Sequence, residues 1–225
     1  MTTAAKNQEP ARGRLTLIGQ YDSPFVRRVG VALVHYGLGY DHWPWSVWAD
    51  QDQLARFSPL RRVPVLLWED GSVLLESFAI LDALDDRVGA ERALLPRSGP
   101  ERRHGLRVAA LATGLADKAV SLLYEHVLRR PEAQSPVWAE RCAAQIHETL
   151  AVLEGERARS STTFWLGEAL THADIAVACA LRFTREAHPE LFEAAIGPAL
   201  EAHARLCETL PVFHSVVQPL LVQLD

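Results

Sequence analysis

Residues 61–77, RRVPVLLWEDGSVLLES, leave few folds open. Val63-Pro64-Val-Leu-Leu-Trp68 is an almost continuous apolar run of strand length. Glu69-Asp70-Gly71-Ser72 is hairpin chemistry, since Asp-Gly accepts the positive φ angles of a tight turn. Val73-Leu74-Leu75 then returns, and SFAILDALDDRVG (77–89) continues with helical spacing. An antiparallel hairpin feeding a helix excludes an all-helical chain.

The residues before it supply the rest of a small sheet. LTLIG (15–19) is β-rich, and PFVRRVGVALVHYGL (24–38) has helical spacing. In that helix Phe25, Val29, Leu33 and Tyr36 form the inward face, with Arg27 and Arg28 outward and Gly37 and Gly39 as a stop. YDHWPWSVW (40–48) reads as a second strand ending near Pro44, and 50–57 as a short helix. The helix at 77–89 turns Phe78, Ile80, Leu81 and Leu84 inward and Asp82, Asp85 and Asp86 outward. The order is β-α-β-α-β-β-α, with the first two strands parallel because a helix joins them.

Residues 89–100 carry two glycines and two prolines and read as a linker. Beyond it the pattern is helical throughout, with helices expected at 101–129, 136–158, 172–187, 190–208 and 211–224. Pro131, Pro136, Pro189 and Pro211 separate most of them, and Pro219 should kink or end the last. The expected organisation is a flexible tail (1–14), an α/β domain (15–88), a linker (89–100) and an all-α domain (101–225).

A net charge of −5 gives no electrostatic reason to expect nucleic acid or an anionic membrane as partner. No apolar run reaches the 18 residues of a membrane span, and the polar start MTTAAKNQEPARGR lacks the apolar core of a secretory signal. Cys142, Cys179 and Cys207 are far apart, with no CxxC, and each lies in an apolar-periodic setting. They read as buried small hydrophobes rather than disulfides or zinc ligands. The nine histidines form no HxH or HExxH pair, so no metal site is expected, and a reducing cytoplasm fits the whole.

Two helix starts carry recognisable chemistry. In WLGEALTHADIAVA (165–178), Thr171 and Asp174 have the spacing of a capping box before an apolar run, a structural device. In Glu76-Ser77, Ser77 stands at the expected helix N-cap, so free N–H groups and the dipole favour an anion there. An acidic residue beside an anion site suits a zwitterionic ligand.

SPFVRRV (23–29), RRVPVLLWEDGSVLLES and WLGEALTHADIAVA, in this order and spacing, resemble the cytosolic glutathione transferase family, in its bacterial or tau-like form with a serine motif. The resemblance spans roughly residues 15–210. It implies a thioredoxin-like N-terminal domain, a helical C-terminal domain, no permanently bound cofactor, glutathione as co-substrate and a homodimer. It implies a cis Val63-Pro64 peptide, with Val63 pairing its backbone with the cysteinyl part of glutathione. Glu76 would meet the γ-glutamyl amino group, Ser77 its carboxylate, and Arg62 the glycine carboxylate, with Gln51, Gln53 and Trp48 on the same side. Ser23, followed by Pro24 at the first helical turn, is the implied thiol-facing hydroxyl, and Tyr21 is the alternative.

Omega-type and glutaredoxin-like relatives carry Cys at the position of Ser23. Serine forms no mixed disulfide, which directs the expectation toward conjugation of a small hydrophobic electrophile. Asp22 places a negative charge beside that thiolate, which opposes it unless the side chain turns away. Arg28 matches an arginine that often follows the motif, with a structural role at the domain junction. His104, Arg107, Leu111, Thr113 and Tyr124 are candidates for the electrophile pocket, which should lie between the domains. The competing expectations are a glutathione-binding module without turnover, and a glutathione-dependent peroxidase or isomerase.

Overall fold

The computed structural model of the chain describes residues 13–222. The expected tail, 1–14, lies outside these except for its last two residues. There the Gly13 N–H donates to the Glu69 carbonyl (3.3 Å), and Arg14 pairs with Asp41 (3.1 Å).

Two units divide the chain, one running to Arg92 and resuming at Val216, the other spanning Ala93–Ser215. The first holds β1 (Leu15–Ile18), α1 (Pro24–Tyr36), β2 (Tyr40–Trp43), α2 (Gln51–Ala55), β3 (Val65–Leu67), β4 (Val73–Leu75) and α3 (Ser77–Val88). Its sheet has the order β2-β1-β3-β4. β1 runs parallel to β2 and antiparallel to β3, and β3 and β4 form the hairpin. This is a thioredoxin-like arrangement. Strand alternation feeds two cores, one holding Ile18, Val65 and Leu67 together with Trp43, Trp45 and Leu54. Leu17 and Leu66 point the other way and are fully buried, as are Val29 and Leu33 of α1 and Ile80 and Leu84 of α3.

The second unit is all-helical: α4 (Gly99–Leu128), a 3-10 turn at Pro131–Ala133, α5 (Pro136–Arg159), α6 (His172–Ala187), α7 (Pro189–Ala195), α8 (Pro198–Thr209) and α9 (Pro211–His214). α6 is apolar on nearly every side and buried accordingly. Both capping-box bonds are formed at its start. Asp174, with no exposed surface, accepts from the Thr171 N–H (2.8 Å), the Thr171 hydroxyl (2.6 Å) and the Trp165 N–H (2.8 Å). All three cysteines are buried free thiols. Among the described residues no helix is long and apolar enough to cross a membrane.

Several expectations need correction. Arg27 and Arg28 do not face outward: both are buried, because each meets polar groups that periodicity does not reveal. The Arg27 Nε–H donates to the Val216 carbonyl (2.9 Å), and Arg28 reaches the Ser77 hydroxyl (3.4 Å) and lies over the Phe78 ring. Phe78, expected inward, is 40% exposed, while Asp85, expected outward, is buried where the Tyr36 hydroxyl donates to it. The helix expected at 190–208 breaks in two at Gly197-Pro198, since proline cannot continue the ladder. The last expected helix, 211–224, stops at His214. The described residues after it belong with the first unit rather than with the helices.

Candidate functional site

The turn from β1 into α1 is built around Gly19, whose φ of 126° disfavours a side chain. A Cβ there would also lie 2.5 Å from Val26 Cγ2 and 2.8 Å from Val63 Cβ, so Gly19 lets Val63 approach the start of α1. The Gly19 N–H donates to the Trp43 carbonyl (2.9 Å), and its own carbonyl is 2.7 Å from His42 Nε2. Residues 20–23 then form a turn closed by the Ser23 N–H on the Gln20 carbonyl (3.2 Å).

Ser23 is the N-cap of α1, with extended φ and ψ, and Pro24 occupies the first helical turn. Its Oγ accepts the Val26 N–H at 3.4 Å. A hydroxyl carries one proton and two lone pairs, so accepting this bond leaves the Ser23 proton available to donate. Capping the helix and facing a ligand are therefore compatible.

Tyr21 is differently placed. Its hydroxyl shares a 2.6 Å hydrogen bond with that of Tyr40, and its ring stacks on His42 with centroids 4.0 Å apart. Burial, then the Tyr40 bond, raises the Tyr21 pKa far above the ordinary tyrosine value. Its hydroxyl is thus committed to β2. Asp22 accepts the Leu221 N–H at Oδ2 (3.2 Å), so its carboxylate is engaged by the C-terminal segment.

The hairpin supplies the second group of residues. The Val63-Pro64 peptide is cis and immediately precedes β3. The β3–β4 register, with Val65 opposite Leu75, places Pro64 across from Glu76. Glu76 has φ 65°, a conformation that costs a non-glycine residue about 1–3 kcal/mol and that clusters at functional sites. It occupies the N-cap of α3, which the sequence reading gave to Ser77; Ser77 is the first helical residue and is buried. Arg28 beneath it joins α1 to the start of α3. Arg62 stands 3.9 Å from Glu76, both side chains more than half exposed, a pair too solvated to hold either firmly. Gln51 accepts from Arg61 at 3.5 Å.

Ser23, Val63, Pro64, Glu76, Ser77 and Arg62 thus come together in the first unit, linked through Gly19, Arg28 and the hairpin register. Sequence reasoning missed the positive φ of Glu76, the inward Arg28 and the C-terminal segment. Only Arg28 left a signal, as one of two arginines inside an otherwise apolar helix.

The candidates on α4 are not brought to one face. At about 100° per residue, His104, Arg107 and Leu111 share a narrow arc, and Thr113 and Tyr124 lie roughly opposite. His104 and Arg107 both clasp Glu156 of α5, at 2.5 and 2.6 Å. Glu156 also accepts from the Trp165 indole (2.9 Å), and despite partial burial these donors bring its pKa down to about 2. The Thr113 hydroxyl donates back to the Ala109 carbonyl (2.9 Å).

Comparison with known proteins identifies the family. Residues 22–87 match the family model for the glutathione S-transferase N-terminal domain, and residues 136–206 the model for its C-terminal domain. An uncharacterized GST-like protein of Escherichia coli, YibF, is 30% identical over 75% of this chain and 81% of its own length. Glutathione S-transferase U8 of Arabidopsis thaliana is 27% identical over 76% of this chain and 70% of its own. Among solved structures, a glutathione transferase family member of Pseudomonas fluorescens with bound glutathione is 33% identical. It covers 92% of this chain and all of its own, with a TM-score of 0.78. A glutathione S-transferase of Methylobacterium radiotolerans in complex with glutathione sulfonate superposes with a TM-score of 0.85 at 25% identity, over 94% of this chain and 98% of its own. With both domains matched in order and relatives aligned along most of its length, the chain belongs to the cytosolic glutathione S-transferase family.

Proposed function

We propose that this chain is a glutathione transferase that ionises the thiol of glutathione and conjugates it to a small hydrophobic electrophile. The observation that carries the reading is the state of Ser23: it caps α1 through a lone pair and keeps its proton to donate to a sulfur. Val63 offers backbone groups to the cysteinyl part, and Glu76 a carboxylate to the γ-glutamyl amine. Ser77 and the N-terminus of α3 favour the γ-glutamyl carboxylate. Arg62, weakly held by Glu76, is able to swing to the glycine carboxylate. The hydroxyl stabilises a thiolate without becoming the nucleophile, and placement of the two reactants supplies the rest of the acceleration.

Leu111 is the strongest remaining candidate of the α4 set for the electrophile, since Glu156 engages His104 and Arg107. The active form would be a homodimer in which α3 of one copy meets α4 of the other, a role that suits the 40% exposure of Phe78. Buried free thiols suit a reducing cytoplasm.

Calorimetry with glutathione, followed by turnover assays with an aryl halide, a hydroperoxide and an isomerisable substrate, tests the reading. Binding with aryl halide conjugation is the expected outcome. Absence of binding overturns it, and binding without conjugation assigns the chain to the binding-module or peroxidase and isomerase alternatives.

A further inference from the structure

After α9 the chain returns to the first unit and lies along the turn that delivers Ser23. Pro219 bars a helix there and biases Gln218 toward extended backbone, so this stretch runs as a strap. Val216 is fully buried beside Gly30 of α1, and its carbonyl accepts from Arg27 (2.9 Å). A Cβ on Gly30 would lie 2.7 Å from Val216 Cγ1 and 2.8 Å from Tyr21 Cε1, so the missing side chain is what admits both groups. From this anchor the strap makes two bonds to the turn itself. The Tyr21 N–H donates to Gln218 Oε1 (3.2 Å), and the Leu221 N–H donates to Asp22 Oδ2 (3.2 Å).

We propose that Gln218 is a positioning residue for the Ser23 hydroxyl, acting through the Tyr21 N–H. The turn at 20–23 belongs to no helix or strand and is closed by a 3.2 Å bond from the Ser23 N–H to the Gln20 carbonyl. The Tyr21 ring is fixed at one end by His42 and Tyr40. Gln218 fixes the backbone at the other end, two residues before the hydroxyl. The same strap holds the Asp22 carboxylate on the Leu221 N–H, so one segment sets both the direction of the Ser23 donor and the place of the neighbouring negative charge. A donor helps a thiolate only when its proton is aimed at the sulfur, and errors of about 1 Å are costly. The proposal rests on the reading of Ser23 as the thiol-facing group.

The test uses the full chain with Gln218→Met, of similar length but without the acceptor, and Gln218→Glu, which keeps it. Amide hydrogen exchange at Tyr21 is read without ligand, and ultraviolet titration of bound glutathione gives the thiol pKa. Gln218→Met should speed Tyr21 exchange about tenfold and raise the thiol pKa by about half a unit or more, with glutathione affinity within about twofold. Gln218→Glu should restore slow exchange. Unchanged exchange in Gln218→Met overturns the proposal, as does equally fast exchange in both variants. Faster exchange with an unmoved thiol pKa overturns it too, since the strap would then hold the turn without directing the hydroxyl. Failure of the underlying glutathione reading shows separately, as absence of binding to the unsubstituted chain; the positioning role then falls, and exchange reports only whether the anchor exists.

Discussion

Replacing Ser23 by alanine separates two roles carried by one oxygen. As a cap, the Ser23 Oγ accepts the Val26 N–H at 3.4 Å, a long bond, so its loss should cost less than the roughly 1 kcal/mol of a good N-cap. For a chain of this size that lowers the melting temperature by about 2–4 °C at most. As a donor to a thiolate, the hydroxyl contributes about 1.5–3 kcal/mol, which is about one to two pKa units. The N-terminus of α1 survives the substitution and retains about 0.3–1 kcal/mol of stabilisation for the anion. A free thiol titrates near 8.5. If the intact site brings glutathione to about 6.5, the alanine variant should titrate between about 7.5 and 8.5. Conjugation of an aryl halide should then fall roughly 10- to 100-fold at a pH below both values and converge toward the unsubstituted rate in alkali. Ultraviolet titration of bound glutathione and the pH dependence of turnover report the same quantity independently. A lowered melting temperature with an unmoved thiol pKa would show that Ser23 is a cap and nothing more. Ser23→Thr, which keeps the hydroxyl, should recover most of the shift.

Asp22→Asn keeps an acceptor for the Leu221 N–H and removes a negative charge beside Ser23, so the thiol pKa should drop by a few tenths of a unit; a rise would refute the electrostatic argument. Gly30→Ala sets a gain of about 1 kcal/mol in helix propensity against the clash with Val216 and Tyr21, worth about 1–3 kcal/mol. Net destabilisation in urea is expected, and a more stable variant would mean that the strap gives way freely. Buried His203, beside Asp174 and Cys207 and influenced by Arg157, has its pKa lowered to about 4, chiefly by burial. The unfolded chain therefore takes up this proton first: the contribution is complete above about pH 6.5 and is lost as pH falls toward 4, up to about 3 kcal/mol in all. Burial raises the Asp174 pKa above its ordinary value of 3.8, so as pH falls this carboxyl works in the opposite sense. Unfolding followed across this window should show an acid slope that His203→Gln reduces; an unchanged slope would place the proton elsewhere.

The elements that the sequence announced are those with punctuation at both ends. α1 begins at Ser23-Pro24 and ends at Gly37, in left-handed conformation, and the hairpin turns where Asp-Gly stands. The helix with the capping box runs from His172 to Ala187, as its spacing predicted. Burial of charge was hinted at only by the arginines of a largely apolar α1, and a helical wheel treats every arginine as an outward residue. Arg27 and Arg28 are inside because their partners come from Val216 and Ser77, and Asp85 is inside because Tyr36 meets it. Pro198 carries the signal that separates α7 from α8. The proposed site rests on Ser23, Val63-Pro64 and Glu76-Ser77, each at a turn or helix start whose punctuation the sequence displays. The α4 candidates do not share a face, and the helix scatters them. Gln218 and Leu221 lie nearly two hundred residues from the turn they hold, a pairing that no local pattern encodes.

The slot beside Gly30 has a consequence for how the protein is made. The first unit is closed by a residue, Val216, that is translated only after the whole of Ala93–Ser215. At about 5–20 residues per second, that interval is on the order of ten seconds. Until then the first unit lacks Val216, which packs beside Gly30 together with Tyr21. The turn bearing Ser23 is therefore completed only after the whole of Ala93–Ser215 has been made, although it is encoded before that unit.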